Sequence, residues 1–299
     1  MKLTSISSNH AAKSLASEKT FIVGLIVERL SDAFFARLAH YVEKSAEGHG
    51  YKVWFCSTEN DNNRARSLIN QFRLMQVDAF IIVPTPGIRK EIKTLIKDNI
   101  PVVLFDRQYP DIECSYVGID NFQSSYLATN HLAAECRRSN IAFIAIDSKQ
   151  NQMVDRLHGY EKAMFENKLT PLIKKLKFSS QDDLLEKEVY SFIMNNPGLD
   201  ALLFSTHYLA TAGVKAVGKL KLTIPDDISI VSFDDQPFYS LNTPTITAIE
   251  QPVEKMANSL IEILMGKIQR RENENKEIVF PAPLHIRESS RQLSSPKRR

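Results

Sequence analysis

Apolar runs of strand length alternate along this chain with segments whose apolar residues recur at helical spacing. The runs are 21–27, 52–56, 79–83, 102–105, 116–119, 141–146, 201–204 and 228–233. They do not alternate apolar with polar, which is the pattern of strands buried on both faces of a parallel sheet. Between them the spacing predicts helices over 32–48, 62–75, 88–98, 122–135, 153–167, 181–194, 209–220 and 253–268. Repeated βα units of this kind predict a doubly wound α/β fold. About four runs lie on each side of Asp120, a coarse duplication.

Local chemistry supports several boundaries. Asp32 precedes Phe34 and Phe35 and can cap the free N–H groups of the first helix. Gly48-His49-Gly50 supplies glycine where that helix must end in a left-handed turn. Met153, Leu157, Tyr160 and Met164 share one helical face and are expected to form a core stripe. The charged stretch 272–277 reads as a solvated loop.

Bulk properties narrow the function. With 299 residues the chain can build two lobes, each with a core. Its 43% hydrophobic and 24% charged content is ordinary for a soluble protein, and a net charge of +3 does not mark a nucleic-acid binder. Cys56, Cys114 and Cys136 form no CxxC pair and suit a reducing compartment. No apolar run reaches the roughly 20 residues of a bilayer span, and residues 1–20 lack the apolar centre of a secretory signal. A cytoplasmic location is therefore expected. Neither GxGxxG nor GxxxxGK[ST] is present, so no phosphate-cradling loop or nucleotide cofactor is indicated. The seven histidines show no metal-ligand spacing, and no GxSxG elbow exists.

Two passages carry the chemistry. Ile224-Pro-Asp-Asp-Ile-Ser-Ile-Val-Ser-Phe-Asp-Asp235 is a turn, a buried strand and two carboxylates at the strand's carboxyl end. In open α/β sheets ligands bind at those ends. Asn242-Thr-Pro-Thr-Ile-Thr-Ala-Ile-Glu-Gln-Pro252 adds a second strand, 245–249, leading into a helix. Together these resemble the lactose/galactose-repressor family of sugar-responsive transcription regulators. The resemblance continues through Asn9-His-Ala-Ala-Lys-Ser-Leu15, Asp32-Ala-Phe-Phe35, Val102-Val-Leu-Phe-Asp-Arg107, Val117-Gly-Ile-Asp-Asn121, Tyr126-Leu-Ala-Thr-Asn-His-Leu132, Arg156-Leu-His-Gly-Tyr160 and Arg287-Glu-Ser-Ser290.

The resemblance implies two Rossmann-like lobes with parallel sheets, joined by crossover strands as in periplasmic sugar-binding proteins. The expected divisions are a hinge-like segment 1–19, a first lobe 20–119 with 252–276, a second lobe 120–250 with 277–290, and a tail 291–299. It implies a small-molecule effector, a sugar or sugar derivative, in the cleft between the lobes, with closure coupled to operator DNA affinity in a homodimer. The dimer surface would lie around 34–42 and 88–96. Leu15 matches the hinge leucine that wedges into the minor groove. Only eight residues precede Asn9, too few for a helix-turn-helix head, so the chain is expected to be either a piece of a longer regulator, the favoured reading, or the product of a gene without a head.

Residue by residue, Asp234 and Arg156 match ligand-contacting positions and suit hydroxyls by charge-assisted hydrogen bonding. For Asp234 the competing role is turn formation; for Arg156 it is an ion pair with Asp155 or Glu161. Asp106 is set against a structural pair with Arg107, and His207 stands where relatives carry Asn. Phe34 and Phe35 are expected to give one aromatic wall for a sugar face and one core residue. Glu28, Asp120 and Phe238 complete the candidates. Ser232, Asp32-Ala33 and His207-Tyr208 depart from the family pattern, so effector identity does not carry over. The rival readings are a free-standing sugar-binding protein and a sugar- or nucleotide-converting enzyme, the latter with Asp106 and Asp234 as its carboxylates.

Overall fold

The computed structural model describes residues 19–178, 182–269 and 274–291. These fall into two compact units. The first runs to Gly118 and resumes over Val253–Val279; the second comprises Ile119–Pro252 and resumes at Phe280. The hinge-like segment with Leu15 lies outside the described residues, as does most of the tail.

In the first unit β1 (Ile22–Val27), β2 (Lys52–Ser57), β3 (Ala79–Ile82), β4 (Val102–Phe105) and β5 (Ser115–Ile119) alternate with α1 (Ala33–Glu47), α2 (Asn62–Leu74) and α3 (Arg89–Lys97). The second unit holds β6 (Ile141–Ile146), β7 (Leu172–Leu176), β8 (Ala201–Phe204), β9 (Ser229–Phe233) and β10 (Thr247–Ile249). Its helices are α4 (Asn121–Asn130), α5 (Asn151–Glu166), α6 (Asp182–Met194) and α7 (His207–Lys219). The chain then returns as α8 (Val253–Ile268), β11 (Glu277–Phe280) and β12 (Leu284–His285).

The two sheets have the same strand order. The first is β11-β5-β4-β3-β1-β2 and the second β12-β10-β9-β8-β6-β7. The duplication expected around Asp120 is therefore real at the level of topology, with β4 and β9 in equivalent places. Central strands are wholly buried: Phe80, Ile82 and Leu104 in one unit, Ile144, Phe204 and Ile230 in the other. Burying a side chain of this size stabilises a fold by about 1.5–3 kcal/mol. Edge strands are less regular. β7 reads Leu-Ile-Lys-Lys-Leu, whose lysines break the apolar run and protect an edge, so the pattern did not reveal it.

Three expectations need correction. Residues 277–279 belong to the first unit because β11 joins β5, the backbone bonding from Tyr116 N to Lys276 O (2.8 Å). The predicted helix 122–135 is an α-helix only to Asn130 and widens to a π-helical turn over His131–Glu135. The buried stripe of α5 is Gln152, Arg156, Gly159, Tyr160, Ala163 and Met164, whereas Met153 and Leu157 are only half-buried. Asp32 does cap α1, accepting from Phe34 N at 2.8 Å. The left-handed glycine after α1 is Gly50, with φ of 78°, while Gly48 stays helical.

Gly159 fixes the packing of α5 on α4. A Cβ there would lie 2.2 Å from the Phe122 carbonyl oxygen, so only glycine lets the helices approach this closely. One turn earlier on the same helix sits Arg156.

Candidate ligand-binding site

In the second unit, the chain leaves β9 through Asp234, which takes a left-handed φ of 65°. Asp tolerates that region better than most residues. Its carboxylate is 8% exposed. Gln251, just past β10, donates to Asp234 Oδ1 at 2.6 Å. His207, the first residue of α7, places Nδ1 3.6 Å from Oδ2. Burial alone would push the Asp234 carboxyl up, but His207, the Arg156 charge and the Gln251 amide outweigh it and hold it below the usual carboxylate value.

Arg156 is buried to 2% exposure, not in a surface pair with Asp155 or Glu161. Its Nε donates to Asn121 Oδ1 (2.8 Å) and its Nη1 to the Ser205 carbonyl (2.6 Å). The guanidinium lies 4.0 Å from the Phe233 ring centroid, a cation–π contact. Asp234, Arg156 and His207 are thus brought together at the carboxyl ends of β8 and β9. Asp235 has the structural role instead. It receives two bonds from Arg287 (2.8 and 2.6 Å), and the following Ser289 and Ser290 bond to Ile230 O and Thr247 Oγ1 at 2.6 Å each.

The first unit has a corresponding cluster. Asp106 follows β4 with a φ of 63°. Arg107 pairs with Glu28, and its Nε lies 3.3 Å from Asp106 Oδ2. Arg107 also donates to Asn60 Oδ1 at 3.3 Å. The structural pair weighed for Asp106 is therefore present, within a three-charge cluster that includes Glu28.

Other candidates are placed differently. Phe34 and Phe35 are both buried, and Phe34 stacks on Phe105 with centroids 5.9 Å apart, so neither stands out as an exposed wall. Consecutive helix positions both reach the core because α1 packs between its own sheet and α8. Asp120 is exposed and caps α4, accepting from Gln123 N at 2.8 Å. Phe238 is 42% exposed and packs edge-on against Tyr239. Sequence reasoning missed Gln251, Asn121 and the Arg287–Asp235 pair. Gln251 stood within the quoted run 242–252, but nothing in one sequence shows that its amide meets Asp234.

Among the described residues no group of three His, Cys, Asp or Glu side chains could hold a metal, and no helix is long and apolar enough to cross a membrane.

Residues 129–290 match the family model described as a periplasmic binding protein-like domain, over half of the chain. This chain belongs to the periplasmic binding protein-like family. Within it, the chain is similar to the ribose operon repressor of Halalkalibacterium halodurans, 27% identical over 94% of this chain and 82% of that protein. It is likewise similar to the sucrose operon repressor of Streptococcus mutans, 26% identical over 97% of this chain and 87% of that protein. Among solved structures, a putative ribose operon repressor from Burkholderia thailandensis superposes with a TM-score of 0.80 at 25% identity, covering 89% of this chain and 99% of that one. Both of these curated relatives are operon repressors.

Proposed function

We propose that this chain is the ligand-sensing and dimerisation core of a cytoplasmic transcription regulator, and that its effector is a sugar or close derivative. The Asp234–Arg156–His207–Gln251 cluster carries the reading. It supplies buried charge and amide groups at strand carboxyl ends, where open α/β sheets bind ligands, and the two repressors named above are those of ribose and sucrose operons. In the first unit, Glu28 and Asp106 are the proposed ligand groups. Effector binding changes operator affinity to the extent that it favours one conformation of the regulator over another.

Dimerisation belongs to the first unit in this reading, around 34–42 and 88–96 through residues other than the buried apolar ones. Phe34, Phe35, Leu38, Ala39 and Val42 are buried within the unit, as are Ile88 and Ile92. Trp54, Phe55, Leu74, Met75 and Val279 are the large apolar side chains that its described surface exposes, on β2, at the end of α2 and on β11. Trp54 is the chain's single tryptophan, so a blue shift of its emission with rising concentration is the expected signature of a dimer.

The function is tested by thermal unfolding of the purified chain against sugars, sugar phosphates, sugar acids and purines. A ligand at about 100 times its dissociation constant stabilises by roughly 2.7 kcal/mol. A selective shift that Asp234→Ala removes supports the assignment; a shift that survives Asp234→Ala places the site elsewhere.

A further inference from the structure

We infer that the first unit holds a second small-molecule site, at the amino ends of its strands, for a monoanion with an apolar body, an aliphatic or aromatic carboxylate. The site lies at the opposite end of the strands from Asp106, is built within the first unit alone, and does not rest on the sensing role proposed above.

A cavity of about 750 Å³ opens there. Asp78, Pro101 and Cys114, which line it, directly precede β3, β4 and β5. Small-molecule pockets run from about 300 to 1,000 Å³, so the space suits such a ligand. Part of the lining is apolar. Ile96 near the end of α3, Ile100 beyond it and Ile268 at the end of α8 are half-buried, and the first two back onto the core formed by Phe80, Ile92 and Leu104. An apolar body covering these side chains removes them from water.

The polar part of the lining is short of negative charge. Lys19 and Lys267 bring two ammonium groups against a single carboxylate, Asp78. Asp78 is already engaged: its Oδ1 accepts from Thr20 N (2.9 Å) and Thr20 Oγ1 (3.0 Å), and its Oδ2 from Phe21 N (2.9 Å). Lys19 donates to the Ile268 carbonyl at 3.4 Å, an ordinary place for a cation at a helix carboxyl end. Lys267 differs. Its Nζ donates to Asn275 Oδ1 at 2.8 Å and forms no ion pair among the described residues. Burial holds its ammonium below the ordinary lysine value, with only the Cys114 thiol acting the other way. That thiol donates to the Val102 carbonyl at 3.6 Å, and burial pushes it up to about 11, so at neutral pH it supplies no counter-charge. Lys267 is therefore a half-buried cation whose one partner is a neutral amide. A carboxylate brings the missing charge and a charge-assisted hydrogen bond. One negative charge balances this lining; a dianion exceeds it.

Calorimetric titration of the purified chain with octanoate and phenylpropanoate, each against the alcohol of the same carbon skeleton, tests this. Each carboxylate is expected to bind about 10-fold tighter than its alcohol, the scale of a hydrogen bond to a charged group, and octyl phosphate no tighter than octanoate. Lys267→Met keeps the apolar stem without the charge and should bring acid and alcohol to equal affinity. Position is read without any variant: octanoate should slow alkylation of Cys114 at alkaline pH, followed by peptide mass spectrometry, while Cys56 on β2 reacts as before. Asp234→Ala should bind octanoate as wild type does. If neither carboxylate binds, or the alcohols bind as tightly, the inference is overturned. If octanoate binds but leaves Cys114 unprotected, or Asp234→Ala abolishes its binding, the anion sits elsewhere and the inference falls as well. Failure of every sugar in the thermal panel would instead sink the proposed effector and leave this site standing.

Discussion

The two units share a strand order, and in each the central strand ends in Phe-Asp with the aspartate in the left-handed region: Phe105-Asp106 with φ of 63° and Phe233-Asp234 with φ of 65°. What surrounds the two carboxylates differs. Asp106 is neutralised by its own neighbour in sequence, and that arginine also takes Glu28. Asp234 is supported from three separate elements, by Arg156 on α5, His207 on α7 and Gln251 past β10. A duplicated backbone thus offers the same place twice, and the side chains decide that one carboxylate meets the arginine beside it in sequence while the other meets groups brought from three separate elements. An assembled cluster depends on the packing that brings its parts together, and the predictions below exploit that dependence.

The largest effect is expected from Arg156→Ala. It leaves Asn121 Oδ1 and the Ser205 carbonyl without their charged donor and Asp234 without its guanidinium. Destabilisation of about 2–4 kcal/mol in urea unfolding should accompany loss of effector binding. At 2% exposure Arg156 is part of the packed interior, so the fold does not escape this change. Next comes Gly159→Ala, which forces α5 away from the Phe122 carbonyl at a cost of about 1–3 kcal/mol. It should also weaken effector binding by displacing Arg156, although Gly159 touches none of the cluster's groups in the contacts described. Equal affinity in this variant would mean the cluster is less dependent on helix packing than the comparison holds.

Asp106→Asn sharpens the contrast from the other side. Arg107 keeps Glu28 and Asn60 after this change, so the stability loss should stay near 1 kcal/mol or below, smaller than that of Arg156→Ala. A loss equal to that of Arg156→Ala would erase the distinction between the two clusters.

Acid titration gives a smaller effect with a fixed sign. The folded Asp234 carboxyl titrates below its ordinary value of 3.8. Its contribution is therefore fully present above that pH and is lost only as pH falls below it. Protonation of Asp234 itself should therefore not be felt in stability or in binding between pH 7 and 5. The smallest effect concerns Cys136, whose thiol burial pushes up to about 11. It should react slowly with iodoacetamide at pH 7.5 and faster only after unfolding.

Much of this was legible in the sequence where burial repeats. Ile141–Ile146, Ala201–Phe204 and Val253–Ile268 appear with the bounds their apolar patterns give. Chain edges were not, because Leu172–Leu176 carries lysines, and β11 and β12 are short and half-polar. Within the candidate site, Asp234 was visible because it ends a buried strand, and Arg156 because its motif resembles a family pattern. Gln251 and Asn121 were invisible as partners. Their roles arise from contacts across 17 and 35 positions of sequence, which no local pattern encodes. That Phe34 and Phe35 are both buried was not legible, because helical spacing gives relative direction but not how deeply α1 sinks between its sheet and α8.

The central claim is that Asp234 anchors the effector. Its most direct test is a calorimetric titration of wild type and Asp234→Ala with the neutral sugar that gives the largest thermal shift, both proteins first matched by their unfolding transitions without ligand. The account predicts an affinity at least about 100-fold lower in the variant, the scale of a lost charge-assisted pair of hydrogen bonds. Affinity within about 2-fold of wild type, a difference of only about 0.4 kcal/mol, would contradict it.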